Sequence, residues 1–253
     1  LTRDDITVQY FERAVLEYHE GNPEGWQIIQ PRLGAAAAFR SGVDTSSVSH
    51  DGSTPIYHAN LLGRGGAGAE DRVVYLTFDD GPHEDWTPRI LEILAQHDAK
   101  ATFFVLGLNA GHYPELLDSI AAAGHALANH GFDHTSMQGM PFAEFDRQVR
   151  ATEQAVPYPM VPCLRPPYGA MDANTAGFAS HYGYEISLWD VDPRDWEQPG
   201  ADVIAERVLQ NVHPGAVVLL HDGGGDRSQT AVALEIILDQ LSAQGYQFAS
   251  MCR

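Results

Sequence analysis

Five short clusters of ionisable residues stand out in this chain. Asp79 and Asp80 are adjacent and lead into Gly81-Pro82. Two neighbouring carboxylates are costly unless something neutralises them, although Asp-Asp-Gly is also a common solvated turn. His130 and His134 lie four apart and can converge on one ion from a helical turn or a tight loop. In a chain with 12 His such a pair also arises by chance. Arg165 precedes Pro166-Pro167-Tyr168-Gly169, where consecutive prolines stiffen the backbone and remove donors. The stretch from Trp189 to Trp196 carries Asp190, Asp192 and Asp195. His221-Asp222 completes the series. Imidazoles and carboxylates are the side chains that ligate divalent ions and move protons.

The elements that must position these groups follow from hydropathy. Residues 73–78 form a β-branched apolar run, which predicts a buried strand. Residues 88–97 place Ile90, Ile93, Leu94 and His97 on one helical face, with Pro88 suited to a first turn. Further strands are predicted at 101–106, 125–129, 161–164, 184–189, 216–220 and 246–250. Helices are predicted at 114–123, 141–156, 172–182, 201–212 and 228–244, the first closed by Gly124. Seven strands alternating with helices imply an α/β fold with a parallel sheet, closed or nearly closed into a barrel. An open doubly wound sheet is the alternative. In either, functional groups gather at the C-terminal ends of strands, where all five clusters fall.

Composition sets the outer limits. With 15 Lys plus Arg against 34 Asp plus Glu, the formal charge is −19. No Lys/Arg cluster exists to neutralise a phosphate backbone, so nucleic acid is excluded as a partner. No apolar run approaches the roughly 18 to 20 residues that span a bilayer. Neither GxxxxGK nor a GxGxxG after a strand is present. Three regions are expected: an N-terminal segment over 1–34, a linker or packed extension over 35–72, and a catalytic domain over 73–253. The chain starts at Leu1 without Met and reads as a piece of a longer protein. Residues 1–34 faintly resemble the end of a repeat from bacterial envelope proteins.

TFDDG, HxxxH, RPPYG, DW and LLH, in this order and at strand ends, resemble the NodB-homology polysaccharide deacetylases of carbohydrate esterase family 4. The resemblance covers about residues 73–251. It implies an irregular, incomplete (β/α) barrel and a metal-dependent N-deacetylase of GlcNAc polymers, chitin-type or peptidoglycan. Asp80, His130 and His134 match the family's metal ligands. Asp79 matches the general base and Arg165 the residue that pairs with it. Tyr168 matches the residue whose backbone N–H helps hold the oxyanion. His221 matches the general acid, and Asp195 the carboxylate that hydrogen-bonds it. Trp196 and Leu219 match the pocket for the acetyl methyl. Two imidazoles and one carboxylate suit Zn²⁺, with Co²⁺, Ni²⁺, Mn²⁺ or Fe²⁺ as alternatives.

The chain departs from the family pattern at Gly131, where Ser or Thr is usual, so a loop hydrogen bond is expected to be missing. Asp190 and Asp192 compete with Asp195 for its role, and Asp195 is preferred because Trp196 follows directly. His83 and Glu84 follow the first motif closely enough to line a groove. A secreted or cell-envelope monomer is expected, and in that setting Cys163 and Cys252 would form a disulfide that pins the C-terminus to the barrel. Competing readings are an O-acetyl esterase of xylan on the same site, a metal-assisted phosphoesterase, and a non-catalytic carbohydrate-binding wall module. The phosphoesterase would want more cations near the ion than Arg165. Strong acidity favours chitin-type oligomers over anionic cell wall.

Overall fold

In a computed structural model, described over residues 72–252 and over the short stretches 2–3, 6–11, 14–19 and 28–29, two sheets are present. The first is antiparallel: β1 (Thr2–Arg3), β2 (Ile6–Phe11), β3 (Ala14–His19) and β4 (Ile28–Ile29), in that order. These strands fall in the region expected as a separate N-terminal segment. The expected linker lies outside the described residues, apart from Arg72.

The second sheet is parallel and carries the chemistry. It begins with β5 (Val73–Asp79), followed by α1 (Trp86–Gln96), β6 (Ala101–Val105), α2 (Gly107–His112), α3 (Pro114–Ala122) and β7 (Ala126–Asn129). Then come α4 (Phe142–Ala155), β8 (Cys163–Leu164), α5 (Ala173–His181), β9 (Glu185–Ile186) and α6 (Ala201–Asn211). The last elements are β10 (Val217–His221), α7 (Ser228–Ala243) and β11 (Gln247–Phe248). The strand order is β10-β5-β6-β7-β8-β9, with β11 pairing the start of β5 at Val73 and Val74. Past β9 the chain returns to β10 through a single bridge, Val191 to Val218. The sheet therefore curls into an incomplete barrel, as the alternation of elements implied.

Three predicted strands are shorter than expected, each reduced to two residues, and for β8 and β9 the reason is physical. Pro162, Pro166 and Pro167 lack the N–H that a ladder needs and confine β8 to Cys163–Leu164. The carbonyls of Ser187 and Leu188 accept from the Arg165 guanidinium at 3.1 and 3.0 Å, so β9 stops before them. Helix α2 has no amphipathic signature in Gly107-Leu108-Asn109-Ala110. It forms because its first N–H groups find acceptors: Gly107 donates to Gly131 O at 3.0 Å and Leu108 to Phe132 O at 2.9 Å. A Cβ at Gly107 would sit 2.6 Å from the Phe132 ring, so only glycine allows this approach.

The core lies between the sheet and the helices. Phe78 and Phe103 stack with centroids 5.1 Å apart, and Ile90, Ile93 and Leu94 of α1 pack there with Leu234, Ile237 and Leu238 of α7. A truncation such as Phe103→Ala costs about 3–5 kcal/mol at such a site. At the other end of the chain, Cys252 is disulfide-bonded to Cys163 with Cα atoms 6.1 Å apart. Met251 is buried beside Phe104 and Val217, and its N–H donates to Thr102 Oγ1 at 3.0 Å.

Candidate active site

The C-terminal ends of β5, β7, β8 and β10 open onto one cavity of about 410 Å³. Strand β5 delivers Asp79 and Asp80 together, and the chain turns sharply there, with Asp80 at φ 74°. A non-glycine residue in this left-handed region stores strain, which the surroundings must offset. Asn109 Nδ2 donates to the Asp80 carbonyl at 2.7 Å, and a Cβ at Gly223 would come within 2.2 Å of that oxygen. The glycine-rich stretch after β10 thus lets its backbone lie directly against Asp80.

Asp79 and Asp80 face different partners. Arg165 Nη1 donates to Asp79 Oδ1 at 2.7 Å, with both side chains buried. The same nitrogen donates to Thr77 Oγ1 at 2.8 Å, and the guanidinium lies 4.1 Å from the Phe104 ring centroid. Burial pushes the Arg165 pKa down, opposed by the charge and hydrogen bond of Asp79. Asp80 turns instead toward the imidazoles. Its Oδ1 lies 3.4 Å from His130 Nε2 and 3.2 Å from His134 Nε2. Burial alone would raise the Asp80 pKa, but His130, then His134 and His221, outweigh it and hold the carboxyl well below its ordinary range.

These three atoms meet the requirements of a cation site. His130 Nδ1 lies 2.7 Å from the Arg165 carbonyl, which can only accept, so this nitrogen carries the proton and Nε2 is left as a lone pair. Asp80 Oδ1 is buried and accepts no hydrogen bond from the described residues. One ligand atom from each of Asp80, His130 and His134 lies within 4.8 Å of the others. Converging acceptors without a donor are what a divalent ion satisfies, and carboxylate with two imidazoles is a borderline-soft set. Burial lowers the His134 pKa, against the raising effect of Asp80, which favours the neutral ligand form.

His221, at the end of β10, stands on the other side of the cavity. Its Nδ1 is 2.7 Å from Asp195 Oδ1, and its backbone N–H donates to Asp195 Oδ2 at 2.9 Å. Thr230 Oγ1 donates to the same Oδ2 at 2.9 Å. Burial alone would lower the His221 pKa, but the Asp195 hydrogen bond and charge, with Asp79 and Asp80 behind, raise it to about 9. Of the three carboxylates weighed in the sequence, Asp195 is therefore the one that reaches His221. Asp192 Oδ1 accepts from Arg194 N–H at 2.8 Å and Asp190 Oδ2 from Val217 N–H at 2.8 Å, so both cap backbone.

Tyr168, Trp196 and Leu219 line the same cavity. Tyr168 sits at φ 62°, its ring 4.4 Å from that of His134, and no described protein group accepts from its N–H. Of the ten residues given roles in the sequence, eight line this cavity, and Arg165 and Asp195 stand behind Asp79 and His221. Trp189 and Gly169, which received no role in the sequence, line it too, as does Asp192, weighed there for the role of Asp195. Gly169 carries a readable signal: at φ 63°, a Cβ there would lie 2.8 Å from the Trp189 ring. His83 and Glu84 are not among the lining residues; His83 Nδ1 accepts from Asp85 N–H at 3.2 Å instead. The buried Asp222 was also unassigned. Burial raises its pKa to about 7, its Oδ2 accepts from Thr87 Oγ1 at 2.6 Å, and its carboxyl fills the space a Gly81 side chain would need.

Residues 66–187 match the family model described as polysaccharide deacetylase. The chain is 38% identical over 200 residues to a chitooligosaccharide deacetylase of Rhizobium leguminosarum bv. trifolii, covering 73% of this chain and 93% of that protein. A solved peptidoglycan N-acetylglucosamine deacetylase is similar at 36% identity and a TM-score of 0.69, over 73% of this chain and 88% of that one. A solved family 4 carbohydrate esterase pseudoenzyme from Bacillus anthracis is similar at 30% identity and a TM-score of 0.67, over 73% and 65% of the two chains.

Proposed function

The chain belongs to the polysaccharide deacetylase family, and from that premise we propose that it removes N-acetyl groups from GlcNAc residues of chitin-type oligomers or peptidoglycan. The observation that carries this reading is one cavity lined at once by Asp79, Asp80, His130, His134, Tyr168 and His221. Since the relatives include a pseudoenzyme, activity has to be argued from these residues, and a non-catalytic wall module would not need them all.

Asp80, His130 and His134 would hold one divalent metal, Zn²⁺ being the best match to the donor set. When bound, such an ion acidifies water and polarises a carbonyl. The protein supplies the rest. Asp79 takes a proton from the attacking water. Arg165 has no proton to lose at working pH, so it fixes Asp79 Oδ1 and leaves Oδ2 toward the cavity. The water oxygen adds to the acetyl carbon, and the Tyr168 N–H donates to the oxyanion that forms. The C–N bond then breaks, and His221 gives its proton to the departing nitrogen, releasing an amine and acetate. Asp195 orients His221 and favours its charged form. Trp196 and Leu219 offer apolar surface for the acetyl methyl.

Substrate preference follows from charge. At −19, the protein is repelled by anionic wall polymers at low salt and attracted to a partly deacetylated, cationic product, which favours chitin-type oligomers. The Cys163–Cys252 disulfide supports a secreted or envelope location. Acetate release from chitin oligomers, peptidoglycan and acetylated xylan at low and high salt tests the reading. Release from the GlcNAc substrates, strongest with chitin oligomers, is expected; release from xylan alone would overturn it in favour of the esterase.

A further inference from the structure

The four-residue step from His130 to His134 is held by side chains that are not ligands. Gly131 N–H donates to Asn129 Oδ1 at 2.8 Å. Phe132 N–H and Asp133 N–H both donate to Gln148 Oε1, at 2.6 and 3.3 Å. Gln148 Nε2 in turn donates to Asp133 Oδ1 at 2.6 Å. The carbonyls of Gly131 and Phe132 accept from the first N–H groups of α2. The N–H groups of Gly131, Phe132 and Asp133 and the carbonyls of Gly131 and Phe132 are thus all met by Asn129, α4 or α2.

Gln148 is the centre of that arrangement. It is fully buried on α4, and it offers an acceptor and a donor through one rigid amide. The loop needs such a hold, because Gly131 sits at φ 80° and His134 at φ 63°, where a histidine is disfavoured. Gly131 is matched to it as well. A Cβ there would lie 3.3 Å from Gln148 Oε1 and 3.0 Å from the Met137 methyl, so the space another residue type would use belongs to the glutamine.

We propose that Gln148 is a positioning residue that sets metal affinity, by fixing the spacing of His130 and His134 from outside the ligand set. Leucine at 148 would leave the N–H groups of Phe132 and Asp133 without their shared acceptor. Glutamate would accept from both N–H groups but would face the Asp133 carboxylate with no proton to give. The pair Gln148→Glu with Asp133→Asn reverses the direction of that one hydrogen bond and keeps the Gln148-side bonds to Phe132 and Asp133 N–H, at the loss of the two that Asp133 Oδ1 accepts from Thr135.

The proposal rests on the metal reading above, and the test separates the two. Metal-free protein is titrated with Zn²⁺ against a chromogenic chelator, for wild type, Gln148→Leu, Gln148→Glu, Asp133→Asn and the double variant, with metal-free melting temperature measured alongside. Outer-shell partners of metal ligands typically contribute about 10–100-fold in affinity, and a weakening of that order is expected for both Gln148 variants, with most of it recovered in the double variant. Should Gln148→Leu fail to fold, the Glu variant and its rescue decide the matter. A role confined to folding would lower the melting temperature of the Gln148 variants and leave Zn²⁺ affinity at the wild-type value, which overturns the proposal. A double variant that binds Zn²⁺ as weakly as Gln148→Glu, where Asp133→Asn alone keeps wild-type affinity, overturns it too. Wild type that binds no Zn²⁺ refutes the metal reading itself.

Discussion

Arg165 Nη1 meets Asp79 Oδ1 at 2.7 Å inside the barrel, and the guanidinium that makes this contact has no exposed surface. The bond joins the end of β5 to the end of β8, across two intervening strands. Arg165 also reaches Thr77 and two carbonyls, so four of its five N–H groups are engaged. Lysine can present only a point charge and three donors, and cannot reproduce that planar geometry. Arg165→Lys is expected to lower both the melting temperature and kcat. Arg165→Leu leaves Asp79 buried and unpaired, a change that typically costs about 3–5 kcal/mol. Urea unfolding and acetate release check both; an Arg165→Lys variant with wild-type kcat would detach the pair from catalysis.

His221 gives a pH prediction with a definite sign. Its pKa is raised from 6.5 to about 9, so the imidazole is protonated below that value and loses its proton above it. The rate should therefore hold while His221 is protonated and fall on the alkaline side as it loses its proton. The matching stability contribution is fully present below 6.5 and is lost over the same rise. Asp195→Asn removes the nearest carboxylate and should move the alkaline limb to lower pH. A pH–rate profile unchanged by Asp195→Asn would show that another group is the acid.

His134→Ala removes one of three converging ligand atoms. The expected loss of metal affinity is at least the roughly 10–100-fold found for outer-shell partners. Direct titration with Zn²⁺ measures it, and full affinity with full rate would remove His134 from the ligand set.

The Cys163–Cys252 bridge closes a sequence separation of 89 residues. Chain-entropy reasoning gives about 4–5 kcal/mol for a loop of this size, and removing native disulfides typically costs about 2–5 kcal/mol. Cys163 also lies two residues before Arg165, on the strand that positions it. Replacing both cysteines with alanine should lower the unfolding midpoint substantially. Equal urea midpoints for the two proteins would mean that Met251 and its neighbours hold the tail unaided.

The parts of the site legible in the sequence are those where one residue type has one good reason to be there. Adjacent carboxylates at a strand end, paired histidines, and arginine before two prolines each carry chemistry that a turn does not need. The strand–helix alternation was readable because Ile90, Ile93 and Leu94 bury one face of α1. What stayed hidden depends on contacts distant in sequence. Helix α2 exists because the loop carrying His134 supplies its acceptors, and Gln148 looks like any polar helix residue until Phe132 and Asp133 fold onto it. Trp189 joins the cavity only because Gly169 lets it approach. Strand β9 is shorter than the sequence suggests because the carbonyls of Ser187 and Leu188 serve Arg165 rather than a neighbouring strand.

The central claim is that Asp79, beside a metal held by Asp80, His130 and His134, drives amide hydrolysis of N-acetylglucosamine oligomers. Acetate release from chitin oligomers tests it most directly, using wild type and Asp79→Asn, each stripped with chelator and reloaded with Zn²⁺. Release is expected from reloaded wild type, none from the stripped protein, and none from Asp79→Asn although it still binds Zn²⁺. Release that survives metal stripping, or an Asp79→Asn variant as fast as wild type, would contradict it.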